Sequence, residues 1–331
     1  MITLMCYFIM FILILLFSIS SSFIFCWMLM ESSTLVFLSL ICLQNMNQKF
    51  MAISSYFLIQ VFSSSIFLLS MSMMYNMTLY SMIGTFFYNV SLSMKIGLFP
   101  FFKWVINLVY SMNWMSIGLL STYQKFMPMM MLSLNFWHNY YLIISFFSML
   151  MSMYYSLGLY SVKLIFSYSI LSHSSWNTIM LSSMNWWLIY YLLYSLLFMM
   201  ICLLNYYFNI EDLSDFMYLY NSSKLVLMIY LLNLISLSGM PPFTGFLIKF
   251  FLINYFFNVL FYIYLMFFIL TSLIHFYLYI RIMLLSFSLF MGKSKHLINY
   301  MWNNQLNLNL IYFFTFIVNF FMLFLGLKMI I

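Results

Sequence analysis

The sequence predicts an all-α, polytopic membrane bundle of about eleven transmembrane helices, and three observations carry that prediction. Of the 331 residues, 67% are apolar and 5% charged, whereas a soluble domain of this length would show roughly 25% charged residues. The apolar residues fall in runs close to the ~20 needed to cross about 30 Å of hydrocarbon. The basic residues cluster at alternate breaks between those runs. No stretch is polar or long enough to fold apart in water, so residues 1–331 read as a single membrane domain.

The composition also excludes several functions. A net charge of +7 from 11 basic residues spread along the whole chain forms no dense patch, so no nucleic acid partner is expected. Cys6, Cys26, Cys42 and Cys202 have no CxxC or other ligand spacing, so they read as packing residues rather than a metal site or disulfide framework. Neither GxGxxG nor GxxxxGK[ST] occurs, so no nucleotide site is visible. Alanine appears once, at Ala52, while Met (35), Phe (41) and Tyr (28) are heavily used. Lipid has no such preference for Phe over Ala. The bias reads as an AT-rich coding sequence, as in an animal mitochondrial genome. The first apolar run has no basic region before it and no small-residue cleavage site after it, which predicts a span rather than a signal or transit peptide.

Taken in order, the first span covers about residues 2–17 and turns in Ser18 to Ser22, and the second covers about 23–43 and contains Glu31. The third covers about 52–74. The fourth starts near Tyr80, breaks at Gly97-Leu98-Phe99-Pro100 and continues towards Tyr110. The fifth, about 114–132, reads as one helix with Lys125 and Pro128 inside it. Spans six, seven and eight cover about 140–157, 160–181 and 186–208, and a polar loop of about 209–224 holds three of the four acidic residues. The ninth run, about 225–255, is too long for one straight helix at 1.5 Å per residue and breaks at Ser238-Gly239-Met240-Pro241-Pro242. The tenth covers about 260–285 and the eleventh about 308–327, within a C-terminal helix of 306–331.

Eleven spans place every even-numbered loop on the side of the N-terminus. Lys49, Lys224, Lys293 and Lys295 fall in those loops, Lys163 and Arg281 at span ends on the same side, and Lys103 joins them if the broken fourth helix ends near Tyr110. Of the basic residues outside the spans, Lys328 alone lies opposite. The positive-inside rule then puts the N-terminus in the cytoplasm or, for a mitochondrial protein, the matrix. Breaks in spans four and nine lie five spans apart, and five is odd, so a five-helix repeat returns inverted. Approximate repeats of residues 1–135 and 136–290 follow, an arrangement expected of transporters with a site near the bilayer midplane.

Glu31, Lys95, Lys125 and Lys249 fall inside spans. A lysine at a span centre costs about 2.5–3.5 kcal/mol, so three unused ones would cost roughly 8–10 kcal/mol. Snorkelling can explain one such lysine, but it explains poorly a set in which two lie beside helix breaks. Burial disfavours a charged lysine and a nearby carboxylate favours it. A carboxylate that pairs with a lysine and then releases it would thus switch the proton on that lysine, and a row of such lysines is a proton relay. Lys103 and Lys163 read as span-end residues. Of the four histidines, His173 and His275 lie within spans. His173 follows Tyr168-Ser169-Ile170-Leu171-Ser172, whose hydroxyls could hold water, and reads as either a structural histidine or a proton carrier.

Four segments resemble the antiporter-like membrane subunits of respiratory NADH dehydrogenase. Lys95-Ile96-Gly97-Leu98-Phe99-Pro100-Phe101-Phe102-Lys103-Trp104 resembles the family's KxGxxPFHxW, and Thr122-Tyr123-Gln124-Lys125-Phe126-Met127-Pro128 the TWQKxxP of its mitochondrial members. The segment from Lys163 to His173 is similar to KxxxAYSSIxH, and that from Leu237 to Lys249 to LGGLPPFxGFxPK. The resemblance spans about residues 25–285 in matching order. It departs at Phe102, where the family has histidine, and at Ile248, where proline commonly precedes the lysine.

The resemblance implies that Glu31, Lys95, Lys125 and Lys249 lie on the family's intramembrane proton-transfer axis. It implies a mitochondrial inner-membrane subunit that translocates protons among other membrane-arm subunits and inner-membrane lipids. No cofactor is expected in this chain; NADH, FMN, iron–sulfur clusters and ubiquinone would be bound by other subunits. The competing expectations are a stand-alone cation/proton antiporter and a scaffold subunit with vestigial lysines.

Overall fold

The computed structural model describes residues 2–43, 50–74, 80–135, 137–182, 184–216, 224–240, 243, 245–246, 249–250 and 262–291. Among these the chain forms twelve α-helices: α1 (Ile2–Ile19), α2 (Phe23–Cys42), α3 (Phe50–Met74), α4 (Tyr80–Ile96), α5 (Lys103–Ser111), α6 (Trp114–Ser121), α7 (Tyr123–Leu134), α8 (His138–Ser156), α9 (Val162–Met180), α10 (Met184–Tyr207), α11 (Lys224–Ser238) and α12 (Tyr262–Met291). A 3-10 turn at Leu213–Asp215 and an isolated bridge between Ser161 and Asp212 accompany them. The expected eleventh span, Lys49, Lys293, Lys295, Lys328 and Ile248 lie outside the described residues.

Helices dominate because a chain in hydrocarbon must satisfy each backbone N–H and C=O within its own segment. Five described segments are long and apolar enough to cross a membrane: Ile2–Ile19, Phe23–Cys42, Phe50–Met74, Trp187–Tyr207 and Met266–Leu284. On α1 only Cys6, Met10 and Phe17 are buried, and Leu4, Phe8, Phe11 and Leu15 are exposed. Such an apolar outer surface suits lipid. Serines within the helices satisfy themselves locally: Ser63, Ser70, Ser91, Ser145 and Ser175 each donate to the carbonyl three residues back.

Two compact units divide the chain. One comprises Met1–Ser148 with Ile170–Met184, the other Met149–Ser169 with Asn185–Ile331. In the first unit α2 packs on α1 and α3, α3 packs on α4 and α5, and α7 packs on α1, α2, α4 and α6. In the second, α12 packs on α11 and on the 3-10 turn.

The fourth span is broken as its sequence predicts. The fifth is not the single helix expected, because α6 ends at Ser121 and α7 begins at Tyr123. At the junction Thr122 has φ −108° and ψ −74°, and its Oγ1 donates to the Gly118 carbonyl at 2.8 Å. Further on, Pro128 has no N–H for the Gln124 carbonyl, which weakens the ladder in the first turns of α7.

Candidate functional site

In the first unit the functional side chains gather where α4 stops. Gly97 has φ +79°, a conformation that costs a residue with a Cβ about 1–2 kcal/mol. It ends α4 in a Schellman arrangement: Leu98 N donates to Ser93 O at 3.1 Å and Gly97 N to Met94 O at 3.2 Å. Two carbonyls of that end also take side-chain donors. Trp104 Nε1 donates to Met94 O at 3.2 Å and Gln60 Nε2 to Lys95 O at 3.4 Å. Gly97 and Leu98 are buried, and these bonds satisfy the carbonyls of Ser93, Met94 and Lys95 within the protein, as interrupted helices at membrane depth require.

Lys95 lies in that last turn, where the negative end of the helix favours a cation. Its Nζ donates to Oε1 of Glu31 on α2 at 2.8 Å, with 1% of the lysine side chain and 22% of the glutamate side chain exposed. Lys125 lies in the first turn of α7 and is also buried. Its Nζ has no hydrogen-bond partner among the described residues. Beside it Gln124 reaches across to α2, where Nε2 donates to Ser33 O at 3.0 Å.

Both lysines line one cavity, together with Ser33, Thr34, Tyr56, Gln60, Gln124 and apolar neighbours that include Trp104 and Leu120. It has room for about one water molecule. The Tyr56 hydroxyl is buried in this wall, again without a hydrogen-bond partner among the described residues. The cavity thus brings the ion-paired Lys95 and the buried Lys125 to one small polar space.

His173 is buried on α9 in the first unit. The hydroxyls beside it, Ser169, Ser174 and Ser175, donate to carbonyls of their own helix. Phe102, in the position where histidine was expected from the family pattern, is buried and stacks on Phe99 at 6.5 Å. Lys103 is exposed at the start of α5.

The second unit holds Lys249, which is buried with its Nζ 2.9 Å from the carbonyl of Ser238, the last residue of α11. Gly239 follows with φ +82°. Each unit thus contains a helix that ends at a left-handed glycine with a buried lysine at its C-terminus. Ser152 and His275 are both buried in this unit, 3.1 Å apart through Oγ and Nε2. Lys163 at the start of α9 is buried too, and pairs with the exposed Glu211 at 2.5 Å. Among the described residues, no three or more His, Cys, Asp or Glu side chains come together as a metal site would need.

Sequence reasoning did not single out Tyr56, Gln60, Gln124 or Glu211. The two glutamines carried a usable signal, being amides inside otherwise apolar runs. Tyr56 carried none among 28 tyrosines.

Residues 20–275 match the profile of the family described as NADH:quinone oxidoreductase/Mrp antiporter, TM. The chain is 30% identical over 309 residues to NADH-ubiquinone oxidoreductase chain 2 of Anopheles gambiae, covering 87% of this chain and 86% of that one. Its fold is similar to a chain of respiratory complex I from Thermus thermophilus, with TM-score 0.76, 18% identity and coverage of 92% of this chain and 73% of that one. A chain of the Mrp complex from a Dietzia species is similar at TM-score 0.67 and 14% identity, over 78% of this chain and 55% of that one.

Proposed function

Since this chain belongs to the NADH:quinone oxidoreductase/Mrp antiporter transmembrane family, among the relatives of NADH-ubiquinone oxidoreductase chain 2, we propose that it is a membrane-arm subunit of proton-pumping NADH:ubiquinone oxidoreductase. Glu31 and Lys95 act as a switchable ion pair. When the carboxylate holds Lys95, its charge is compensated; when it releases Lys95, the buried ammonium is disfavoured and gives up its proton. Lys125 receives and returns that proton, and Lys249 serves as the access group of the second half. His173 is a further carrier on α9.

One observation above all supports this reading: Lys95, compensated by Glu31, and Lys125, without a hydrogen-bond partner among the described residues, line the same small cavity. A scaffold has no use for two buried amines there, and each is expensive at membrane depth. The redox chemistry belongs to other subunits, which bind NADH, FMN, iron–sulfur clusters and ubiquinone and drive this chain through its membrane-arm neighbours and the surrounding inner-membrane lipids. Residues 1–135 and 136–290 are the two inverted repeats, an assignment supported by the left-handed glycines at 97 and 239. The N-terminus faces the matrix, with the basic loops. An impermeant maleimide should then reach a cysteine introduced at exposed Ser21 from the intermembrane side only; labelling from the matrix side would reverse the topology.

The decisive experiment is NADH-driven proton pumping by the assembled complex carrying Lys125→Met, with Lys163→Met as the control. Loss of pumping at Lys125 alone supports a relay. Normal pumping at normal assembly would make the chain a scaffold. The stand-alone antiporter reading draws on the fold likeness to the Mrp chain, and it requires cation/proton exchange by the purified chain in liposomes without NADH.

A further inference from the structure

We propose that the hydroxyl of Tyr56 carries the proton between the Glu31–Lys95 pair and Lys125, acting with one water molecule in the cavity that all four residues border or adjoin. This rests on the proton-transfer reading above and adds to it a residue and a route.

Tyr56 has a simpler explanation as a packing residue. Its ring is fully buried on α3, 5.8 Å from the ring of Phe37 and 5.5 Å from that of Trp104. Phenylalanine would fill that slot equally well, because none of those contacts uses the oxygen. Yet the oxygen is there, buried, without a protein partner among the described residues, in the wall of a cavity sized for one water. Buried hydroxyls in native proteins are almost always satisfied, so one that is not calls for a water or a function. The second unpartnered polar atom on the same cavity is Lys125 Nζ. On each of the two glutamines the side-chain nitrogen already donates to a backbone carbonyl, Gln60 to Lys95 and Gln124 to Ser33. Tyr56 is also within electrostatic reach of Glu31.

A water in this cavity would bridge the Tyr56 hydroxyl and the Lys125 amine. A proton released from the Glu31–Lys95 pair binds a lone pair of the phenolic oxygen as the phenolic proton passes to the water. The water passes one of its own protons to the Lys125 nitrogen. One O–H bond forms and one breaks at each oxygen, so the phenol and the water end neutral, and Lys125 gains the proton that the pair lost. The return transfer is the same sequence reversed.

Tyr56→Phe in the complete complex tests this, alongside Lys125→Met. Removing an oxygen that bonds no protein atom among the described residues should leave assembly at the parental level. Pumping per NADH should fall by about tenfold or more, in the range of a lost proton-transfer group, and the residual coupled turnover should show a larger solvent deuterium isotope effect. Lys125→Met losing pumping while Tyr56→Phe keeps it would overturn the role of Tyr56 and leave the proposed function standing. Normal pumping in both variants would remove both readings. Failure of Tyr56→Phe to assemble would make the hydroxyl structural and overturn the proposal as well.

Discussion

Lys95 Nζ stands 2.8 Å from Glu31 Oε1, and neither α2 nor α4 carries any other charged residue. The pair joins two helices that do not adjoin in sequence, and it places the lysine beside the α4 break. Removing one partner of a buried pair strands the other, which costs about 3–5 kcal/mol when both are fully buried. Glu31 retains 22% side-chain exposure, so Glu31→Gln is expected to cost less, about 2 kcal/mol.

That asymmetry sets up a double-mutant cycle. Glu31→Gln and Lys95→Met should each lower the thermal inactivation midpoint of the assembled complex, and the double variant should lose less than their sum. A coupling of about 1–3 kcal/mol is expected for charges in direct contact. Strict additivity would mean that the pair does not form in the assembled protein.

Gly97→Ala should reduce the amount of assembled complex sharply. The left-handed backbone alone costs about 1–2 kcal/mol, and the new Cβ would collide with Val105 Cγ2 and press on the Trp104 ring. Gly158 has a similar φ of +88° with nothing within 4 Å of an added Cβ, so Gly158→Ala reports the backbone strain by itself. Val105→Ala should partly restore assembly in the Gly97→Ala background and do nothing for Gly158→Ala. Equal losses at the two glycines would show that the packing against α5 does not matter.

The contrast between the two helix junctions shows what a sequence can carry. The α4 break is written in Gly97 and Pro100, residues whose backbone preferences leave few alternatives. The α6–α7 junction falls at Ser121-Thr122-Tyr123, which contains neither glycine nor proline, and depends on a threonine back-bond and on the contacts of α7 with α1, α2 and α4. The site divides in the same way. Charge inside an apolar run stands out in any reading, so Glu31, Lys95, Lys125 and Lys249 were legible as intramembrane ionisable residues. That Lys95 has a carboxylate at 2.8 Å while Lys125 has no partner among the described residues depends on helix rotation and crossing.

Lys163 offers a charge pair with the opposite expectation. Its partner Glu211 is 66% exposed at the side chain, and the two segments are also clipped by Val162 N donating to Glu211 O at 2.9 Å. Asp215 braces the same turn by accepting from the backbone of Glu211 and Asp212 at 3.0 and 2.9 Å. With water on one partner, Glu211→Gln should cost no more than about 1 kcal/mol, seen as a small drop in the inactivation midpoint. Pumping per NADH should be unchanged in Glu211→Gln and in Lys163→Met. A pumping defect at normal assembly in either variant would put this pair on the proton path.

Gly239 and Lys249 give the sharpest test of the second unit. An added Cβ at Gly239 would lie 2.9 Å from Lys249 Nζ and 3.1 and 3.2 Å from its Cδ and Cε. All three atoms belong to a flexible side chain, so the lysine can move aside, but moving breaks its 2.9 Å bond to the Ser238 carbonyl. Gly239→Ala should therefore combine the left-handed strain of about 1–2 kcal/mol with a displaced ammonium, whereas Gly158→Ala has the strain without the displacement. If Lys249 must sit at the end of α11 to exchange protons, Gly239→Ala will lower coupled NADH turnover several-fold beyond Gly158→Ala at matched assembly. Uncoupled electron transfer, measured with an ionophore present, should change less. Identical turnover in the two variants would show that the position of Lys249 at the Ser238 carbonyl has no part in pumping.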